Sequence, residues 1–263
     1  MMRVRIALAA VFFALLFHAP CLGQALVGEI SKEDFLKNAA RVIDYDTKMP
    51  VSGALITIPA ENKAAFSDNN GSFQLMSQAK EVILMIKKDG YRPYSVTVSS
   101  NELGRNLKFE LQKSKAMEII VADNLIRLGD NSFSTDSANA VQFQSQAKGP
   151  SIEKGFQVND IAADTRVYIT FGSIIGVDTQ EAKRLKQNNL RTSSSSPVEV
   201  FINKTKIGEI KINGDNQKMP VPKQFLKPNA ENIITIKTGV NLDQHEYVDY
   251  DDIEIANLVV DIE

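Results

Sequence analysis

The stretch EVILMIKKDGYRPYSVTV (residues 81–98) sets the class of this chain. The apolar run Val82–Ile86 is too short for a helix and rich in the aliphatic residues of a buried strand. Asp89-Gly90 follows, a dipeptide that reverses the chain. Tyr94, Val96 and Val98 then alternate with Ser95 and Thr97, the period-two spacing of a strand with two unlike faces. Two strands and a turn result, with no helical period.

The rhythm continues on both sides. Upstream, ARVIDYDT (40–47) reads as a strand closing on a turn, and PVSGALITI (50–58) as a strand introduced by Pro50. SDNNGSFQL (67–75) places Asn70-Gly71 between two apolar segments, which predicts a hairpin. Downstream, NLKFELQK (106–113) closes the unit with Leu107, Phe109 and Leu111 at period two. Many short strands with no long helix make residues 40–113 a small β-sandwich. From 114 the pattern repeats at greater length through MEIIVADNLIRLGDNSF (117–133), TRVYITFGSII (165–175), PVEVFINKTKIGEIKI (197–212), ENIITIKTG (231–239) and DDIEIANLVVDI (251–262). Residues 114–263 are therefore expected to form a two-sheet jelly roll. DTQEAKRLKQNNLRTSSSS (178–196) breaks this rhythm and reads as a surface excursion.

The beginning has another logic. Residues 1–25 read MMRVRIALAAVFFALLFHAPCLGQA: Arg3 and Arg5, an apolar core from Ile6 to Phe17, then small residues at Gly23 and Ala25. This is the build of a signal peptide, shorter than the ~20 apolar residues a membrane span needs. Cys21 offers a lipoprotein alternative, against which Pro20 stands where a small residue is wanted. Residues 26–39 follow as a short helical lead-in. Cleavage near Ala25 would remove the only Cys and leave His245 as the one histidine. It would also leave 28 basic residues against 32 acidic, a net charge of −4. Mild acidity argues against nucleic acid as a partner.

Two resemblances follow from these motifs. RVIDYDTKMPVSGALITI, the Asp-x-Asn-Gly-x-Phe turn and the Gly-Tyr turn make residues 40–113 similar to the carboxypeptidase-regulatory-like domain. That resemblance implies a transthyretin-like sandwich, used as a spacer or docking unit in secreted and outer-membrane proteins. VEVFINKTKIGEIKI, FLKPNAENIITIKTG and DYDDIEIANLVVDI make residues 114–263 resemble the galactose-binding-like sandwich of carbohydrate-binding modules. This second likeness implies fold more than activity, because such sandwiches host many functions.

Catalysis finds little support in the residues. A serine nucleophile would need His245 as its base, yet that residue lies in the charged loop DQHEYVD, and no Gly-x-Ser-x-Gly elbow exists. A glycosidase pair needs two carboxyls held about 5–9 Å apart in a cleft. The acids of 246–254 crowd one short segment and are expected to face water. The chain is accordingly read as non-catalytic, with a glycan or surface polymer as ligand; a structural or assembly component docking on an envelope protein is the alternative, and a hydrolase or lyase accessory to polysaccharide processing the third reading. Tyr247, Tyr250 and His245 are the candidate ligand-binding residues, with packing of Tyr250 against the sandwich end as the alternative. The chain has no Trp to serve as a sugar platform, and most of the Phe residues of the second half fall in strand patterns and are assigned to its core.

The galactose-binding resemblance also implies a structural Ca2+ between the loop after an early strand and the head of the last strand. Those places hold Asp130 on one side and Asp249, Asp251 and Asp252 on the other. Along the last strand Asp251, Ile253 and Ile255 share a face, whereas Leu258, Val260 and Ile262 have the opposite parity. One extra residue near Ala256-Asn257, a β-bulge, reconciles them. Asp249 and Asp251 then sit above the edge of the core, where a cation or bulk water must relieve their repulsion.

Overall fold

The computed structural model describes residues 39–263 apart from 78, 104, 132–142, 144–145, 160, 163 and 189–193. The signal peptide and nearly all of the lead-in lie outside the described residues, as does Phe133. The chain forms an all-β fold of two sandwiches.

The first sandwich packs β4 (Ser72–Phe73), β1 (Ala40–Asp44) and β7 (Lys108–Leu111) against a second sheet. That sheet runs in the order β3 (Lys63–Phe66), β2 (Leu55–Ile58), β5 (Glu81–Lys87) and β6 (Tyr94–Ser99). Its core gathers Val42, Ile56, Leu84, Ile86, Phe109 and Leu111. The turn at Asp89-Gly90 joins β5 to β6, with Gly90 at φ 81° where glycine is unstrained. The hairpin expected at Asn70-Gly71 is absent. Asp68 Oδ1 accepts from the Asn70 and Ser72 N–H groups, which makes the turn, but β3 then pairs with β2 while β4 pairs with β1. The Gly71 carbonyl is held by the Val42 N–H, and a β-carbon there would meet the Val42 oxygen at 2.3 Å. The glycine thus lets the chain cross from one sheet to the other, and Asn213-Gly214 marks a second such crossing.

The second sandwich has four strands on each side. One sheet is ordered β13 (Gly214–Pro220), β10 (Val167–Ile175), β15 (Ile253–Ile262) and β8 (Glu118–Leu128). The other is β12 (Thr205–Ile210), β11 (Val198–Ile202), β14 (Glu231–Lys237) and β9 (Ser151–Gln157). Ile126, Ile169, Phe171, Val200, Ile236 and Ile255 meet between them, each burial contributing about 1.5–3 kcal/mol.

The parity change in β15 is present. Ile253 and Ile255 face the inner core, and so do Leu258 and Val260. Asn257 takes up the odd residue at φ 54°, a region Asn enters more readily than other side chains. The irregularity spans three strands. Opposite β15, β10 keeps its register but leaves Gly172 unpaired, and β8 carries extra residues where its pairing shifts past Ala256 and Leu258.

That kink is where the sandwiches meet. From β5 and β6, the side chains not used in the first core point outward: Ile83 and Met85 pack on Ile175 and Ala256, and the Ser95 and Ser173 hydroxyls meet at 3.1 Å. Thr97 gives its N–H and hydroxyl to Asp215 at 2.9–3.1 Å. A β-carbon on Gly172 would stand 2.3 Å from the Ser95 hydroxyl oxygen, so glycine is what admits β6 at this distance. Arg92 closes the seam at its far end, reaching Asp261 at 2.5 and 3.0 Å and Glu118 at 2.7 Å. β15 is consequently covered on both faces, by its own sandwich and by the first one.

Candidate functional site

The head of β15 gathers the acids singled out from sequence, and it corrects the expectation that they face water. Asp249, Asp251, Asp252 and Glu254 are all buried. Three elements bring them under cover: the end of β8, the chain after β10, and the loop returning from β14. Thr238 and Gly239 tie that loop to the Asp251 backbone, through the Thr238 hydroxyl at 2.6 Å and the Gly239 carbonyl at 2.9 Å.

Each carboxylate has its own surroundings. Asp252 meets Arg127 at 3.3 Å, both nearly inaccessible, and the Arg127 guanidinium lies 4.8 Å from the centre of the Phe143 ring. Gly129 makes room: a β-carbon there would fall 2.1 Å from the Asp252 carboxylate. Burial raises the Asp252 pKa, Arg127 opposes it, and Asp130 adds to it. Asp130 accepts the Tyr250 N–H at 2.9 Å. Asp249 accepts from the Asn241 side chain at 3.1 Å. Asp251 accepts the Asp178 N–H at 3.2 Å. Burial pushes the Asp251 carboxyl well above the ordinary carboxylate range, and the Asp178 carboxylate, with Asp252 and Asp249 behind it, pushes the same way.

The proposed calcium ligands are therefore neighbours, but each is turned to a proton donor of the protein. Among the described residues no group of three or more His, Cys, Asp or Glu side chains is placed to hold a metal ion. Sequence reasoning missed Arg127 and Asp178. Arg127 left a trace, as the one cation inside the apolar run NLIRLGD. Asp178 left none, since an acid before a helix start reads as an ordinary loop residue.

The ligand-binding candidates divide. Tyr250 is half-buried, and its backbone N–H is held by Asp130. His245 and Tyr247 are exposed. They belong to a loop, 241–249, closed at its base by a bridge between Val240 and Tyr250 and by Asn241 N–H to Asp249 O at 2.8 Å. Asp243 Oδ2 takes the Ser194 N–H at 2.9 Å, and the Leu242 N–H reaches Ser194 O at 2.8 Å. The tip presents Leu242, Tyr247 and Val248, exposed by 52, 52 and 62%. Leu242 and Val248 were not foreseen, because an aliphatic residue in a loop is normally read as inward-facing.

Comparison with known proteins gives one firm match. Residues 41–121 match the family model of the CarboxypepD_reg-like domain. No curated protein matches the chain. Among solved structures, a protein of unknown function from Bacteroides fragilis NCTC 9343, described only provisionally as membrane-associated, shares 13% identity with it. The alignment covers 86% of this chain and 96% of that one, with a TM-score of 0.23, at which the likeness carries no argument.

Proposed function

We propose that the chain is an exported, non-catalytic binding component whose C-terminal sandwich docks on a protein partner through the 241–249 loop. The observation behind this reading is the loop tip, where Leu242, Tyr247 and Val248 stand half or more exposed on a base pinned by buried Asp249 and Tyr250 N–H. Exposed apolar side chains held on a rigid support are what protein interfaces bury. The tip also carries Asp243 and Glu246, and no Lys or Arg occurs after Lys237. The complementary surface is therefore apolar with a basic rim. Export rests on the signal-like residues 1–25; among the described residues no helix is long and apolar enough to cross a membrane.

A glycan is the second reading, favoured by the exposed Tyr247 ring beside His245 and Glu246. It ranks lower because Tyr250 is half-buried and two aliphatic neighbours cannot hydrogen-bond a sugar. The non-catalytic part of the reading is supported by two features: the carboxyl of Asp251 is buried, and His245 stands on an exposed loop.

A photo-crosslinker placed at 247 in the full chain tests the reading. One discrete protein adduct is expected, lost on Val248→Asp and absent when the crosslinker sits at exposed Lys48. No adduct at 247, together with a glycan-array signal lost on Tyr247→Ala, would reverse the order of the two readings.

A further inference from the structure

The first sandwich has an open sheet edge. β3 ends the order β3-β2-β5-β6 and, among the described residues, is paired on the β2 side alone. The Ser67 N–H reaches Ala54 O at 3.0 Å, and the Ser67 carbonyl accepts the Gly53 N–H at 2.9 Å. Ser67 therefore turns both backbone groups towards β2, and by strand alternation so do Ala65 and Lys63. The N–H and C=O groups of Ala64 and Phe66 point the other way, out of the sheet edge. Such an edge is a template for another strand unless something guards it. The opposite edge of the same sheet is guarded, because Asp215 takes the Thr97 N–H. β3 has no such guard: residues 64–66 are Ala, Ala and Phe, and Lys63 is drawn off by Glu61 at 2.6 Å and the Met76 carbonyl at 2.9 Å.

The side chains on this edge define the partner. Ile56 and Ile58 of β2 fill the first core, so Leu55 and Thr57 look outward with their β3 neighbours Phe66 and Ala64. Phe66 is 69% exposed, and Ala64 is exposed on the same face. Antiparallel pairing of β3 with a second β3, about a two-fold axis at Ala65, sets Phe66 of each copy opposite Ala64 of the other. Those are the two positions whose N–H and C=O face outward, so each such pair exchanges both its hydrogen bonds. The small Ala64 side chain leaves room for the Phe66 ring opposite it. Lys63 falls opposite Ser67 and not opposite another lysine, so no like charges meet. An unrelated strand would satisfy the backbone groups equally well, but a second copy also supplies the complement to both side chains.

We propose that this edge is a homodimer interface, in which two copies of the chain pair β3 with β3 and join their four-stranded sheets into one. It lies in the first sandwich, apart from the 241–249 loop, and neither reading depends on the other.

Disulfide trapping tests the register. The chain is produced with Cys21→Ser, so that an introduced thiol is its only one. Ala65→Cys places two thiols across the axis at a pair that is not hydrogen-bonded, where Cα atoms stand about 4.5 Å apart. That falls within the roughly 4.4–6.8 Å of disulfides, so mild oxidation should give a covalent dimer. Ala64→Cys, two residues out of line with its own copy, should stay monomeric under the same oxidation. Sedimentation velocity from about 1 μM to about 1 mM should show the native chain forming dimers reversibly. Ala64→Pro removes an N–H that is turned away from β2, so the fold should tolerate it while the dimer is lost. Phe66→Asp, at an exposed position, should abolish the dimer too and keeps the test intact if the proline variant misfolds. A native chain that stays monomeric throughout, or an Ala65→Cys chain that fails to crosslink, overturns the proposal and leaves the edge to a strand of another protein. Equal trapping at 64 and 65 overturns it as well, because random collision then explains the crosslink. So does a dimer that survives both Ala64→Pro and Phe66→Asp.

Discussion

The two ends of β15 carry buried aspartates in opposite electrostatic states. At its tail, Asp261 is held by two bonds from Arg92 and one from the Thr170 hydroxyl. Burial raises its pKa, but Arg92 and Thr170 outweigh burial, and the carboxyl ends below its ordinary value. At the head, Asp251 has the Asp178 N–H for relief and three carboxylates against it, and its carboxyl ends well above that value. Depth is similar at both ends, with Asp261 and Asp251 only 4 and 6% exposed. What differs is whether a cation is bonded to the carboxylate itself: Arg92 holds Asp261, whereas the head's Arg127 is bonded to Asp252. The tail fastens one sandwich to the other. The head stores repulsion under a loop that reaches the surface.

The largest effect is expected where the head has its own cation. Arg127→Leu would strip Asp252 of its partner in a fully covered site, at a cost of about 3–5 kcal/mol. Urea unfolding would measure it. The loss should deepen from pH 5 to pH 8, because the bare Asp252 carboxyl must then ionise without help. A cost that stays flat over this range would show that Arg127 acts by packing on Phe143 alone.

Arg92→Ala comes next, at roughly 2–3 kcal/mol, since its side chain retains some contact with water and the pair is partly screened. This variant should make the tail behave as the head does. In the native chain the depressed Asp261 contributes stability above the ordinary carboxylate pKa and loses it as pH falls through its lowered value. Without Arg92, burial raises that pKa, and stability should instead decline as pH rises towards neutral. Limited proteolysis between residues 112 and 117 should accelerate in the variant if Arg92 fastens the sandwiches together.

The sequence made some of this legible and hid the rest for physical reasons. Period-two patterns revealed the strands, and the mismatch between Ile255 and Leu258 located the kink at Asn257, because strand parity is a local property. Asn70-Gly71 named the turn correctly but not its partners, since which sheet a strand joins is decided by contacts far away in the chain. The continuous run Val82–Ile86 signalled cover on both faces of β5, while nothing in it told that the second cover is Ile175 and Ala256. The acids of 249–254 were misjudged for the same reason: a dense carboxylate run reads as solvated until a distant Arg127 and a returning loop are seen to bury it.

Asp251→Asn removes the repulsion itself and should raise stability by about 1 kcal/mol at neutral pH. The sign follows from the raised pKa of the folded state. Asp251 favours folding fully only below the unfolded carboxylate value, and that contribution is lost as pH rises through the folded one. Asn mimics the protonated form and can still accept the Asp178 N–H. The gain in melting temperature should therefore vanish in acid and grow with pH, and a gain independent of pH would deny the head its stored repulsion.

The smallest thermodynamic effect is expected at the surface of that same head. Tyr247→Ala removes a ring exposed by 52% and should change stability by no more than about 0.5 kcal/mol. Its pH profile should superimpose on that of the native chain, because Asp249 and Asp251 lie beneath the loop and not beside the ring. With the photo-crosslinker moved from 247 to 248, an adduct is expected in the otherwise native chain, and Tyr247→Ala should abolish it. If Tyr247→Ala instead flattens the pH dependence set by Asp251, the loop tip and the buried carboxylates form one coupled unit. The head would then sense its partner as well as hold it.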